Sequence, residues 1–185
     1  MDIGGKVFQI RKFVSGCSSN GRAIVEFDEL VKPVTIAAQP GVRYYPIWGS
    51  NEPTAQVGDG ARPISFEPYF PPPGGIRFML LSWPPKGGLP AKGDLKELFA
   101  EMEMVFPGLL DAVRGDENGR HATDSVDMVM VLDGEIWLEL DDGTETLLSA
   151  GHCVVQRGAK HAWHNRSDKN ALMALVVVGA ERKTS

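Results

Sequence analysis

A chain of 185 residues that is 43% hydrophobic and 23% charged can bury a core of its own, enclosing roughly 70% of the surface its unfolded form exposes. Its formal charge of −5, with no cluster of Lys and Arg, excludes a nucleic-acid-binding surface, and no stretch approaches the roughly 20 consecutive apolar residues of a membrane helix. Cys17 and Cys153 stand far apart with no CxxC spacing, and the opening segment has no leader-like apolar run, so a cytoplasmic protein with two reduced thiols in a single domain, residues 1–185, is expected.

The β-branched and aromatic run Val7–Val14 and the run Arg22–Phe27, separated by the turn-rich Gly16–Gly21, predict a hairpin. From Asp28 to Pro73 the chain is rich in Pro, Gly and aromatic residues without periodicity. So many aromatics do not suit a disordered linker, so an ordered arm is expected, lying against the body of the protein or another subunit. Ile76–Trp83 predicts a strand closed by Pro84 and Pro85. Asp94 then reads as the N-cap of a helix over about 94–106, with Leu95, Leu98, Phe99, Met102 and Phe106 at helical spacing and Pro107 as its stop. It is expected to pack on a sheet rather than to move as a lid. Residues 115–120 read as a loop.

After that loop the spacing becomes regular. Strands are predicted at Ser125–Leu132, Glu135–Leu140, Thr144–Leu148, His152–Gln156, His161–Asn165 and Ala171–Val178, with turns at Asp133-Gly134, Asp141-Asp142-Gly143, Ala150-Gly151 and Gly158. Short strands with frequent turns and no intervening helix indicate an antiparallel sandwich or barrel, not parallel βαβ winding.

Alternation places His121, Thr123, Ser125 and Asp127 on one face of their strand. If that face looks inward, an imidazole and a carboxylate share a cavity, and His161, with Trp163 and Asn165 on its own face, brings a second imidazole. Two neutral imidazoles and a carboxylate suit Fe(II), and also Mn(II), Ni(II) or Zn(II). Trp137 and Trp163 could stack on a flat substrate, although core packing is the plainer reading. His152 should be exposed, His164 should face away from the cavity, and Glu135 and Glu139 should lie on a solvated face beside Trp137.

These motifs resemble those of the cupin superfamily. Its first motif runs Gly, five residues, His-x-His, three or four residues, Glu, six residues, Gly; here His121, Asp127 and Gly134 hold the first-His, Glu and final-Gly positions. Its second runs Gly, five residues, Pro-x-Gly, two residues, His, three residues, Asn; here Gly151, Gly158, His161 and Asn165 match. Thr123 replaces the second His, Asp127 the Glu and Gln156 the Pro, and the segment after Gly151 is one residue short.

The resemblance implies an all-β, cupin-type β-barrel, a jelly-roll-like double-stranded β-helix. Residues 116–180 would be its core, and residues 1–115 an N-terminal extension with a strand arm and one or two short helices. It also implies a metal site at His121, Asp127 and His161 and pairing into a homodimer through N-terminal strands. Three functions follow. One is a metal-dependent oxygenase or lyase acting on a small, cyclic or aromatic, organic acid. Another is a metal-free isomerase, dehydratase or decarboxylase with Asp127 and His161 as its catalytic acid–base pair. The last is a non-catalytic barrel that binds or senses a small molecule through Thr123 and Trp163.

Overall fold

The structure, a computed structural model, describes residues 6–57, 66–113 and 119–183. Strands β1 (Arg11–Cys17) and β2 (Ala23–Leu30) form the expected hairpin, pairing Arg11 with Leu30 and Cys17 with Ala23. The turn is tighter than the composition implied. Ser18 N–H donates to Arg22 O at 2.8 Å, so Gly16 and Cys17, read as turn residues, belong to the strand.

The body of the protein is built around two antiparallel sheets. One has the order β3-β4-β10-β5-β8, from β3 (Arg43–Ser50), β4 (Ile76–Trp83), β10 (Ala171–Gly179), β5 (Ser125–Asp133) and β8 (Cys153–Arg157). The other has the order β7-β6-β9, from β7 (Glu145–Ser149), β6 (Glu135–Leu140) and β9 (His161–His164). From β4 onward each strand lies within a residue of its expected bounds. Inward residues of both sheets, among them Val129, Val131 and Met173 facing Ile136, Leu138 and Leu148, form one buried apolar cluster. This is the all-β barrel architecture that alternation demands when one face of each sheet must leave water.

The proline-rich arm is ordered, but part of it is a strand that sequence alone did not give. β3 pairs with β4, Tyr44 opposite Leu81 and Tyr45 opposite Leu80, and its register shifts between Pro46 and Trp48. Proline is tolerated because β3 is an edge strand. Farther along, Tyr69 stacks edge-on against Phe106 at 5.0 Å, and Tyr44 lies 4.8 Å from the same ring.

Helix α1 (Leu95–Val105) is capped by the Asp94 carboxylate, which accepts from the N–H groups of Lys96 and Glu97 at 2.9 and 3.3 Å. Its buried stripe is narrower than predicted. Leu98, Met102 and Phe106 are buried, whereas Leu95 and Phe99 are 65% and 37% exposed. A short α2 (Leu109–Val113) follows; most of the predicted loop at 115–120 lies outside the described residues. Among the described residues no helix is long and apolar enough to cross a membrane.

A second apolar cluster lies on the outer face of the larger sheet, where Phe8, Ile10 and Val31 pack against Tyr45, Leu80 and Leu172.

The turn from β5 to β6 depends on Gly134. Its φ is 74°, and a Cβ there would sit 2.4 Å from the Asn170 carbonyl oxygen. Gly134→Ala combines a left-handed backbone with a clash against main chain, so thermal or urea unfolding should register a loss of about 2 kcal/mol or more. An unchanged midpoint would refute this account of the turn.

Candidate functional site

Alternation along β5 and the residues leading into it decides what faces inward. Thr123, Ser125, Asp127 and Val129 are buried, while Ala122, Asp124, Met128 and Met130 are exposed. His121 meets His161 through an isolated antiparallel bridge in which each N–H donates to the other's carbonyl at 2.9 Å. That bridge holds the two imidazoles in contact, with ring centroids 4.6 Å apart and planes tilted by 47°.

Both rings are oriented by backbone. Nδ1 of His161 lies 2.8 Å from Ala159 O, and Nδ1 of His121 lies 3.3 Å from Gly119 O. A carbonyl can only accept, so each Nδ1 carries the proton and the lone pair sits on Nε2. Among the described residues neither Nε2 has a hydrogen-bond partner. Burial, reinforced by the neighbouring His161, lowers the pKa of His121 to about 4, so this ring is neutral at pH 7.

Asp127 approaches from β5. Burial raises its carboxyl pKa, opposed by the Ser125 hydroxyl, which donates to Oδ1 at 2.6 Å, and by His161. With Ser125 donating to the carboxylate, the Thr123 hydroxyl 2.7 Å away is left to donate to Ser125. Thr123, expected to touch a ligand, therefore supports Asp127 through Ser125, and it does not border the cavity.

Asp127, His121 and His161 border a cavity of about 270 Å³ between the sheets. Most of its wall is apolar or aromatic, including Tyr44, Tyr69, Phe70, Leu81 and Trp163. Trp163 meets His161 edge-on, at 5.9 Å and 84°, so of the two tryptophans singled out from sequence it is the one at the cavity. Trp137 is half-buried beneath the Arg166 guanidinium, 5.2 Å from its ring. His152 is exposed, as expected.

Two expectations are corrected. His164 also borders the cavity, and its Nε2 lies 2.7 Å from Glu139, whose side chain is only 16% exposed and also faces Arg120 at 3.5 Å. Glu139 is thus enclosed in a polar network at the cavity's edge rather than solvated. Sequence reasoning did not assign Gln156 to the site either. It is 5% exposed, borders the cavity, and its amide nitrogen has no hydrogen-bond partner among the described residues. The indole nitrogen of Trp83, another bordering residue, is also buried without a partner among the described residues. The signal for Gln156 was available: a polar side chain inside an otherwise apolar alternating strand.

The donor set bears on a bound ion. Two imidazoles with Nδ1 turned to backbone carbonyls and open Nε2 atoms are suitable ligands, but a carboxylate does not complete the expected set. Among the described residues no group of three or more His, Cys, Asp or Glu is placed to hold a metal ion. Asp127 is a methylene shorter than Glu, and its Oδ1 is engaged by Ser125. The side chains as arranged do not fit a resident three-ligand metal centre.

Residues 111–178 match a family model described as "Cupin domain". The chain is 48% identical over 59 residues to the phomopsin biosynthesis cluster protein C′ of Diaporthe leptostromiformis, a match spanning 32% of this chain and 31% of that protein. It is 39% identical over 57 residues to the oryzines biosynthesis cluster protein J of Aspergillus oryzae, spanning 31% and 32% respectively. These matches thus cover about a third of each relative's length. Among solved structures, the Cnp3 cupin domain of Schizosaccharomyces pombe is similar with a TM-score of 0.47 at 8% identity, covering 93% of this chain and 89% of that one.

The depressed pKa of His121 has a consequence for stability. Below the ordinary value of 6.5 the unfolded chain takes up a proton that the folded ring refuses until about pH 4. Folding stability therefore falls as pH drops from 6.5 to 4 and this contribution levels off below that, a loss on the order of 2–3 kcal/mol. Thermal melts across that window should show the decline, and His121→Gln should make it shallower. Parallel curves for the two proteins would contradict the assignment.

Proposed function

With residues 111–178 belonging to the cupin superfamily, we propose that the chain is an enzyme acting on a small organic acid within the barrel, by proton transfer through Asp127 and His161. The observation that carries this reading is the polar end of the cavity, where open imidazole nitrogens and a buried carboxyl border one otherwise apolar space. The names of the relatives, both biosynthesis-cluster proteins, support a small-molecule substrate.

The chemistry follows from the protonation states. His161, its Nδ1–H held by Ala159 O, offers Nε2 as a base to a C–H next to a substrate carbonyl. Burial favours the protonated form of Asp127, whose O–H can donate to the carbonyl oxygen as negative charge develops there. Return of the proton from His161 to a different carbon, with Asp127 recovering its own, completes an isomerisation. Loss of a neighbouring hydroxyl as water instead completes a dehydration. Tyr44, Tyr69, Phe70 and Trp163 would hold a ring-bearing apolar body and exclude water.

Proton exchange tests the reading. In D2O the protein should accelerate deuterium incorporation next to the carbonyl of aryl 2-oxo acids such as phenylpyruvate, followed by NMR above the buffer rate. Asp127→Asn should lower that rate at least about 100-fold while remaining folded. The alternative is a divalent ion on the two open Nε2 atoms. Exchange that EDTA abolishes and Fe(II), Mn(II), Ni(II) or Zn(II) restores would favour that alternative and overturn the metal-free one. Binding without exchange would mark a ligand-binding barrel.

A homodimer is proposed on separate grounds. Met128, Met130 and Leu132, each 43% exposed, and Val155 at 61% form an apolar strip on the outer face of β5 and β8. The β1–β2 hairpin, hydrogen-bonded as a sheet of its own, exposes Phe13, Val25 and Leu30. A two-stranded ribbon is marginal alone in water, and exchange between two copies would cover both surfaces. Light scattering should report a dimer at micromolar concentration that Met128→Glu combined with Met130→Glu converts to a folded monomer. A monomeric parent protein would rule this out.

A further inference from the structure

Gln156 lies at the polar end of the cavity and has no part in the proton transfers to and from the substrate proposed for His161 and Asp127. Register places it directly opposite Asp127 across β5 and β8, which brings two such side chains to about 5 Å at Cβ on the same sheet face. It is 5% exposed, borders the cavity, and its amide nitrogen is buried with no acceptor among the described residues. A buried N–H without an acceptor opposes folding, so the arrangement is costly to the free protein and is relieved when a ligand supplies the acceptor.

We propose that Gln156 selects the substrate by donating its amide N–H to a carbonyl or carboxylate oxygen on the ligand's head group. The open Nε2 atoms of His121 and His161 accept hydrogen bonds, whereas Gln156 donates one. A head group that satisfies both carries a carbonyl oxygen beside an acidic hydrogen, on a hydroxyl or on carbon. Tyr69, Phe70 and Trp163 face the remainder of the molecule and suit a flat apolar body. The substrate class is accordingly an aryl- or alkyl-bearing 2-oxo acid, and a hydrocarbon of the same skeleton is discriminated against because it leaves the amide unpaired. This inference rests on the cavity being the ligand site and is independent of whether Asp127 and His161 move a proton.

Calorimetric titration with phenylpyruvate and with propylbenzene, on the full chain and on Gln156→Leu and Gln156→Met, tests it. The parent protein should bind phenylpyruvate at least about tenfold more tightly than the hydrocarbon. Both apolar variants should lose about tenfold or more for phenylpyruvate, keep their affinity for the hydrocarbon, and melt at the same or a higher temperature because the orphaned donor is gone. Two apolar replacements of different shape guard against a packing failure in either one. Undiminished phenylpyruvate affinity in a folded variant, equal affinity of the parent for the two probes, or binding of neither would overturn the proposal. If the affinity pattern holds while the parent protein catalyses no exchange, the acid–base reading fails and the role of Gln156 stands.

Discussion

The register of β5 against β10 is the constraint on which the interior depends. Asp127 opposes Val177, Val129 opposes Leu175 and Val131 opposes Met173, with an irregularity between Leu172 and Met173 beside the β5 end of the pairing. Because side chains alternate faces, a slip of one residue would carry Asp127, Val129 and Val131 outward and bring Met128, Met130 and Leu132 in. The carboxyl would leave the cavity, and the larger sheet would lose its inward apolar face. Gly134 ends β5 close against the Asn170 carbonyl, just before β10 begins, so the turn and the pairing fix the register together.

Once register is set, the polar end of the cavity is assembled mainly by backbone. The His121–His161 bridge joins the segment leading into β5, in the larger sheet, to β9 in the smaller one, and the carbonyls of Gly119 and Ala159 choose the tautomer of each ring. Main-chain partners of this kind are rigid, so both Nε2 atoms are pre-positioned before any ligand arrives. Asp127 is held differently, by the hydroxyl of Ser125 with Thr123 behind it. A carboxyl buried against so few donors keeps a raised pKa; two or three backbone N–H partners would pull it the other way.

Much of this was legible because it is periodic. Short apolar runs bounded by turn residues marked β4, β6 and β10 almost to the residue, and alternation put His121 and Asp127 on one face. β3 was not legible, since Pro46 and the adjoining bulge interrupt the very period that announces a strand. The stripe of α1 was overread: spacing shows which residues share a face but not how much of that face is covered, and Leu95 and Phe99 sit at its uncovered edge. Thr123 and Glu139 were misplaced for a related reason. Strand parity tells inside from outside, yet whether an inward hydroxyl meets a ligand or a neighbouring serine, and whether an outward carboxylate finds Arg120 and His164, depends on contacts between segments distant in sequence.

Gln156 shows how a departure from a family pattern can be informative. The cupin motif has proline at this position, and β8 is an edge strand, where proline costs little because the ladder continues on one side only. The backbone therefore does not call for a replacement. Nor does packing, since a buried amide with an unpaired nitrogen is a poorer core residue than any aliphatic of similar size. What glutamine adds is a donor facing the same space as Asp127, in a chain whose motif also lacks the second histidine. Loss of a nitrogen ligand at 123 and gain of an amide at 156 point the same way, from an interior arranged around an ion toward one that reads the oxygens of an organic head group directly.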